Sequence, residues 1–146
     1  MQIRELSPSD ADEWARMRAA LWPGATAAEH RAELPEWCGR SDRIVFVAVR
    51  EDRGLAGFAE VGLRSVADGC DTSPVGYLEG WYVDDDVRRR GIGAALVRAA
   101  EEWARQLGCV EFASDVELHN DGSQRAHGAL RFEEVSRVVT YRKRLG

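Results

Sequence analysis

Cysteine is scarce in this chain: Cys38, Cys70 and Cys109 are the only three among 146 residues. They lie far apart, are odd in number and form no C-x-x-C pair. That argues against a disulfide framework and against a zinc site, and three reduced thiols are expected. Long hydrophobic runs are missing as well. No window approaches 18 uninterrupted apolar residues, so no membrane span is expected. Met1 to Trp14 carries charges throughout, without the apolar core of a signal peptide, so the expected compartment is the cytoplasm. Positive charge is not in excess either. Twenty basic residues face 25 acidic ones, a net of −5, which disfavours general binding of nucleic acid or an anionic membrane and suits a cationic partner. There is no repeat, low-complexity tract or linker.

What is present fits one domain over 1–146. The chain is 45% apolar and 31% charged, and a domain of this length buries about 68–70% of its unfolded surface, so it needs no disulfide or metal to fold. Gln2 to Leu6 alternates as a short strand. Ser7-Pro8-Ser9-Asp10 reads as a helix start, and Thr26-Ala27-Ala28-Glu29 as a second capping box. Pro23-Gly24 and Pro35 end or kink the two helices. Ile44 to Val49 and Leu55 to Leu63 read as a hairpin, Arg64 to Pro74 as an exposed loop, and Val75 to Val83 as another strand. Gly91 to Leu107 is the clearest helix, with a stripe of Ile92, Ala95, Leu96, Ala99, Trp103 and Leu107 ended by Gly108. Cys109 to Ser114, Asp121 to Leu130 and Phe132 to Arg142 read as strand, helix and strand. The order β-α-α-β-β-β-α-β-α-β predicts an α/β (α+β) sheet flanked by helices.

The most informative local pattern lies between Val83 and Ala94. A strand ends, Arg88-Arg89-Arg90-Gly91-Ile92-Gly93 follows, and a long helix begins. Glycines allow close backbone approach to an anion. The free N–H groups and the dipole of the helix N-terminus favour negative charge, and arginines add hydrogen bonds to phosphate oxygens. The alternative is that the glycines serve a tight turn and close packing. The turn is not a Walker A loop, since no Gly-Lys-Ser/Thr follows, and Leu96 stands where a dinucleotide fingerprint needs glycine.

The R-x-x-G-x-G pattern after Trp81-Tyr82-Val83 resembles the acetyl-CoA-binding motif of the GNAT acyltransferases, whose element order this chain matches from end to end. Dispersed segments resemble the aminoglycoside 6′-N-acetyltransferase branch: Leu21-Trp22-Pro23-Gly24, Gly69 to Pro74, Leu78-Glu79-Gly80, Gly108-Cys109, Ala113-Ser114-Asp115, Phe132-Glu133-Glu134 and Tyr141 to Arg144. The resemblance implies the GNAT acyl-CoA N-acyltransferase fold, a mixed, mostly antiparallel sheet. It implies acetyl-CoA as donor, no metal, and a homodimer in which the partner completes part of the site. It also implies cofactor contacts at Trp81, Tyr82 and Val83, a pyrophosphate cradle of Arg88, Arg89, Arg90, Gly91, Ile92, Gly93 and Ala94, and further contacts from Asn120 and the region of His127. Trp22, Glu79 and Asp115 match positions lining the aminoglycoside pocket. Three positions depart from the relatives' pattern: Val66 replaces tyrosine, Ser136 an acidic residue, and Ala25 a frequent histidine.

Acetyl transfer to a primary amine needs a base, an oxyanion donor and a proton for the leaving thiolate. Asp115, at a strand end, is the expected base; the alternative is a turn or capping carboxylate. Glu79 lies in a largely apolar strand and must be paired when buried, either by a cationic substrate or by an internal arginine. The Val83 N–H is the expected oxyanion donor. His127 is a candidate acid, or else a structural histidine. Trp22 can wall a sugar ring or pack in the core. Trp14, Trp37 and Trp103 are expected to pack, as are the rings of Tyr82 and Tyr141. Asp84 to Asp86 reads as a solvated face, and Cys109 has no evident base. Acetylation of another primary amine, or non-catalytic acyl-CoA binding, are the competing functional readings.

Overall fold

The capping signals near the N-terminus form as expected in a computed structural model that describes residues 1–146. The Asp10 carboxylate accepts the Ser7 N–H at 2.8 Å, closing a single turn over Pro8–Asp10 that leads into helix α1 (Ala11–Leu21). Thr26 and Glu29 close a second capping box at the start of α2 (Ala27–Arg31). Strands β1 (Gln2–Glu5), β2 (Arg43–Val49), β3 (Leu55–Arg64), β4 (Val75–Val83) and β5 (Phe112–Ser114) form one sheet in that order. The first three pairings are antiparallel and β4–β5 is parallel. A parallel neighbour needs a crossover, which helix α3 (Ile92–Gln106) supplies. Helix α4 (Asp121–Ala129) follows β5.

The two faces of the sheet carry different cores. Trp14 and Met17 of α1 pack with Trp37, Val45, Val47, Leu55 and Phe58 on one face. On the other, Leu96 and Val97 of α3 pack on Ala48, Ala56, Ala59 and Leu78. The three alanines leave room for α3 to lie close to the sheet. β3 is the central strand, buried from Leu55 to Gly62, which explains its nearly continuous apolar run. No helix is long and apolar enough to cross a membrane.

Three sequence expectations are corrected. The buried stripe of α3 is Ile92, Leu96, Val97, Ala100 and Ala104; Leu107 is exposed and Ala95, Ala99 and Trp103 are only half-buried, because the sheet meets α3 about one residue around from the sequence stripe. β5 covers only Phe112–Ser114, not the whole of Cys109 to Ser114. Phe132 to Arg142 forms no strand. Within it Val135, Val138, Val139 and Tyr141 are exposed, Tyr141 at 88%, so the Tyr141 ring does not pack in this chain. The segment pairs with no strand of the sheet.

Candidate active site

β4 and β5 touch only briefly. Gly76, Tyr77 and Leu78 pair with Phe112, Ala113 and Ser114, and beyond Leu78 this side of β4 has no strand partner. What faces the resulting gap depends on a bulge. Glu60 of β3 is opposite Gly80, but Val61 is opposite Leu78, so Glu79 is the extra residue. The bulge shifts the phase of the strand. The Asp84 N–H donates to Ala56 O at 2.7 Å on the β3 side. By strand alternation the backbone groups of Tyr82 also face β3, while those of Trp81 and Val83 face the gap. On the gap side Arg88 Nε donates to Val83 O at 2.9 Å. Tyr82 is turned away: its phenol donates to Asp84 at 2.9 Å and its ring stacks on Phe58.

At the mouth of the gap α3 begins without a side-chain cap. Gly91 has φ +78°, a left-handed conformation that glycine adopts without a Cβ penalty. The first helical bond is Ala95 N–H to Gly91 O at 3.0 Å, so the N–H groups of Ile92, Gly93 and Ala94 have no intrahelical partner. A Cβ on Gly91 would meet nothing within 4 Å, whereas one on Gly93 would come within 3.1 Å of the Trp81 indole. Trp81 Nε1 donates to Gly93 O at 3.1 Å, tying strand to helix. Arg88, Arg89 and Arg90 are exposed beside this terminus. An open backbone, free N–H groups and three cations fit a pyrophosphate.

The other wall is acidic and aromatic. Tyr77 and Glu79 lie on one face of β4 ahead of the phase shift. Glu79 is half-buried and bound twice by Arg64 of β3, Nε to Oε1 at 3.0 Å and Nη2 to Oε2 at 2.8 Å. The Arg64 guanidinium carbon is 3.4 Å from the centre of the Tyr77 ring, and the Tyr77 hydroxyl donates to Asp115 Oδ2 at 2.7 Å. Burial, then the Asp115 carboxylate, pushes the Tyr77 phenol up, so it stays a donor. Of the two possible partners for Glu79, an internal arginine is the one this structure holds. Trp22 caps the end of α1, and its ring lies where a Cβ on Gly80 would come within 2.5 Å.

Beneath Trp22 is a buried charge cluster that sequence reading missed. Glu60 is 1% exposed. Trp14 Nε1 donates to it at 2.9 Å, and Arg18 Nε is 2.9 Å from its Oε2, although the angle there is too bent for a good hydrogen bond. The Arg18 guanidinium lies 4.6 Å from the Trp14 ring and 5.0 Å from the Trp22 ring and also binds Glu33 at 2.7 Å. His30 Nε2 is 3.0 Å from Trp22 O. Burial pushes the Glu60 carboxyl up to about 7, against the pull of Arg18 and the Trp14 hydrogen bond. A single carboxylate inside an apolar strand was the available signal; its partner, 42 residues away, was not.

An acetyltransferase (GNAT) family model matches residues 13–132. The chain belongs to the GNAT acetyltransferase family. It is 45% identical over 146 residues to aminoglycoside N(6′)-acetyltransferase type 1 of Klebsiella aerogenes, covering 98% of this chain and 96% of that one. Aminoglycoside N-acetyltransferase AAC(6′)-Iy in complex with CoA superposes with a TM-score of 0.92 at 38% identity, over 98% of this chain and 94% of that one. The same enzyme in complex with a bisubstrate analogue, CoA-S-monomethyl-acetylneamine, gives 0.91 at 38% identity over 98% and 97%. The GNAT fold implied by the resemblance is the fold observed.

On this GNAT frame the remaining expected residues take definite places. Asn120 caps α4, accepting the Ser123 N–H at 3.1 Å. His127 is held at both nitrogens, Nδ1 2.7 Å from Ser123 O and Nε2 2.9 Å from Ser114 Oγ, and meets Trp81 edge-on at 5.3 Å. Cys109 is buried, and burial pushes its thiol up, which disfavours the thiolate. Val66 is exposed on the loop after β3, and Val135, beside Ser136, lies over Gly69 of that loop. Asp84 corrects the expectation of a solvated acidic run. It is 8% exposed and takes hydrogen bonds from Arg16 at 3.1 Å, Arg50 at 3.0 Å and Tyr82 at 2.9 Å; only Asp85 and Asp86 are exposed.

Proposed function

We propose that this protein transfers the acetyl group of acetyl-CoA to the 6′-amine of aminoglycosides, by direct attack in a ternary complex, and so confers aminoglycoside resistance. The observation that carries this reading is the full-length likeness to aminoglycoside N(6′)-acetyltransferases in a chain that sets two carboxylates, Glu79 and Asp115, around one arginine–tyrosine pair beside an open β4 edge.

When bound, acetyl-CoA supplies an acetyl thioester with a thiol leaving group. The residues that would hold it are Trp81 and Val83 through backbone groups on the gap side, and Gly91 to Ala94 with Arg88, Arg89 and Arg90 at the helix terminus. Asp115 receives the proton of the attacking amine, directly or through water, since only the neutral amine is a nucleophile. The Val83 N–H faces the charge that builds on the carbonyl oxygen. Glu79 and Trp22 bind the cationic sugar, Trp22 by its ring face. His127, engaged at both nitrogens, fits a role in holding α4 to β5 better than proton delivery, so as the C–N bond forms the C–S bond would break to release the CoA thiolate, which would take its proton from water. Asp115→Ala should lower kcat/KM about tenfold or more, measured by thiol release; an unchanged value removes Asp115 from the mechanism.

The functional reading is tested with an aminoglycoside panel and thiol-release detection. Turnover confined to substrates bearing a 6′-amine supports it, and turnover only on other amines overturns it. We place the enzyme in the cytoplasm as a homodimer, with a small cationic substrate and neither nucleic acid nor membrane as partner. The net charge of −5 and the exposed Val135, Val138, Val139 and Leu145 of the C-terminal segment support this. Sedimentation of the full chain reads the oligomeric state, and a monomer at micromolar concentration overturns it.

A further inference from the structure

We propose that Arg64 is a specificity-determining residue: its guanidinium occupies, as a resident cation, the seat on Glu79 that a substrate ammonium takes, so that polycationic substrates bind by exchange with it. The inference rests on the reading above that Glu79 receives an amine.

Four observations meet here. Arg64 saturates both oxygens of Glu79 in a bidentate pair, at 3.0 and 2.8 Å, the geometry that makes such a pair selective. Its guanidinium also lies 3.4 Å over the Tyr77 ring, so one face is covered. Tyr77 in turn holds Asp115 at 2.7 Å, so a single cation borders both carboxylates assigned to the substrate. Finally, Arg64 is the last residue of β3, at the border of the exposed 64–74 loop. Its side chain is 43% exposed against 26% for Glu79. The arginine can therefore swing outward while the carboxylate stays, giving up its stacking on the Tyr77 ring.

The pair is open to solvent on one side, so it can exchange. A bidentate pair resists a single competing ammonium, so a ligand with several ammonium groups can displace Arg64, whereas a monoamine gains less from the exchange. Arg64 thus sets a threshold of substrate charge. Without it, Glu79 presents an uncompensated carboxylate, and cations bind more tightly.

The test is calorimetry of neamine binding to the CoA-loaded enzyme, alongside steady-state kinetics. Arg64→Gln should tighten neamine binding roughly two- to fivefold, lower its KM by the same factor, and leave the acetyl-CoA KM unchanged. Arg64→Lys, which keeps the charge but loses the fork, should lie between the two. In a Glu79→Gln background the Arg64→Gln effect should vanish. Neamine binding that is unchanged or weaker in Arg64→Gln overturns the proposal, as does a lysine variant that binds as tightly as the glutamine one. Calorimetry reads the exchange whether or not neamine is acetylated, so absent turnover counts against the functional reading and an absent affinity change against Arg64.

Discussion

Glu60 and Arg18 show how single residues set conditions for the site without entering it. A carboxylate 1% exposed requires a partner, and Arg18 supplies one while its guanidinium lies between the rings of Trp14 and Trp22. The orientation of Trp22 is thus tied to a buried ion pair. Burial lifts the Glu60 carboxyl from 4.5 to about 7, so the folded chain binds this proton more tightly than the unfolded chain. The associated stability is complete below about pH 4.5 and is lost as pH rises toward 7. Glu60→Gln removes that titration. The difference in unfolding free energy between variant and wild type should move in favour of the variant between roughly pH 5 and 7.5, measured by urea denaturation at both values. A difference constant across that range would refute the shifted carboxyl. Asp10, Glu13 and Asp84 are held low by their arginines and backbone or tyrosine donors, Asp84 against the opposing effect of burial; they act below that range and cancel from the difference.

Among the elements, β4 and α3 form the side proposed to hold the acetyl donor. The Gly-rich turn was legible because glycine spacing, clustered arginines and a helix start all lie within a dozen consecutive residues. The phase of β4 was not legible. Val75 to Val83 reads as one uninterrupted strand, and only its pairing with β3 reveals the extra residue at Glu79. That residue decides that Trp81 and Val83, not Tyr82, turn their backbone groups to the gap. The donor side also predicts a separable defect. Gly91 needs φ +78°, which aspartate tolerates better than most residues, and its Cβ enters open space. Gly91→Asp should therefore keep the fold, with Tm within a few degrees, and raise the acetyl-CoA KM about tenfold or more by setting negative charge against the phosphates. A normal KM would argue that the phosphates bind elsewhere.

At the scale of the whole molecule, Asp84 joins the parts. Arg16 of α1, Arg50 just after β2 and Tyr82 of β4 all converge on it, and Arg50 also reaches Asp86. Removing a carboxylate that neutralises two arginines leaves both without their shared partner. Arg16 keeps Glu13 and Arg50 keeps Asp86, so Asp84→Ala should destabilise by about 1–2 kcal/mol, a drop in Tm of roughly 5 °C, and should blunt turnover through the altered β4 end. Thermal unfolding checks this, and a shift below about 2 °C would show that the arginines find water instead. The C-terminal segment is the other feature of this scale. Its Val135, Val138 and Val139 are exposed, and the segment pairs with no strand of this chain.

The sequence by itself determined the order of elements up to α4, the capped helix starts, the glycine–arginine turn that opens α3 and the family, because each depends on residues close in the chain or on a pattern spread along it. Only the tertiary structure decided how the charges are spent. Glu79 meets Arg64 across 15 positions, Asp115 meets Tyr77 across 38, and Asp84 meets Arg16 across 68. A charge pair stabilises through distance in space, which falls off over a few ångströms, and sequence separation carries almost no information about that distance until strand register and bulge are known.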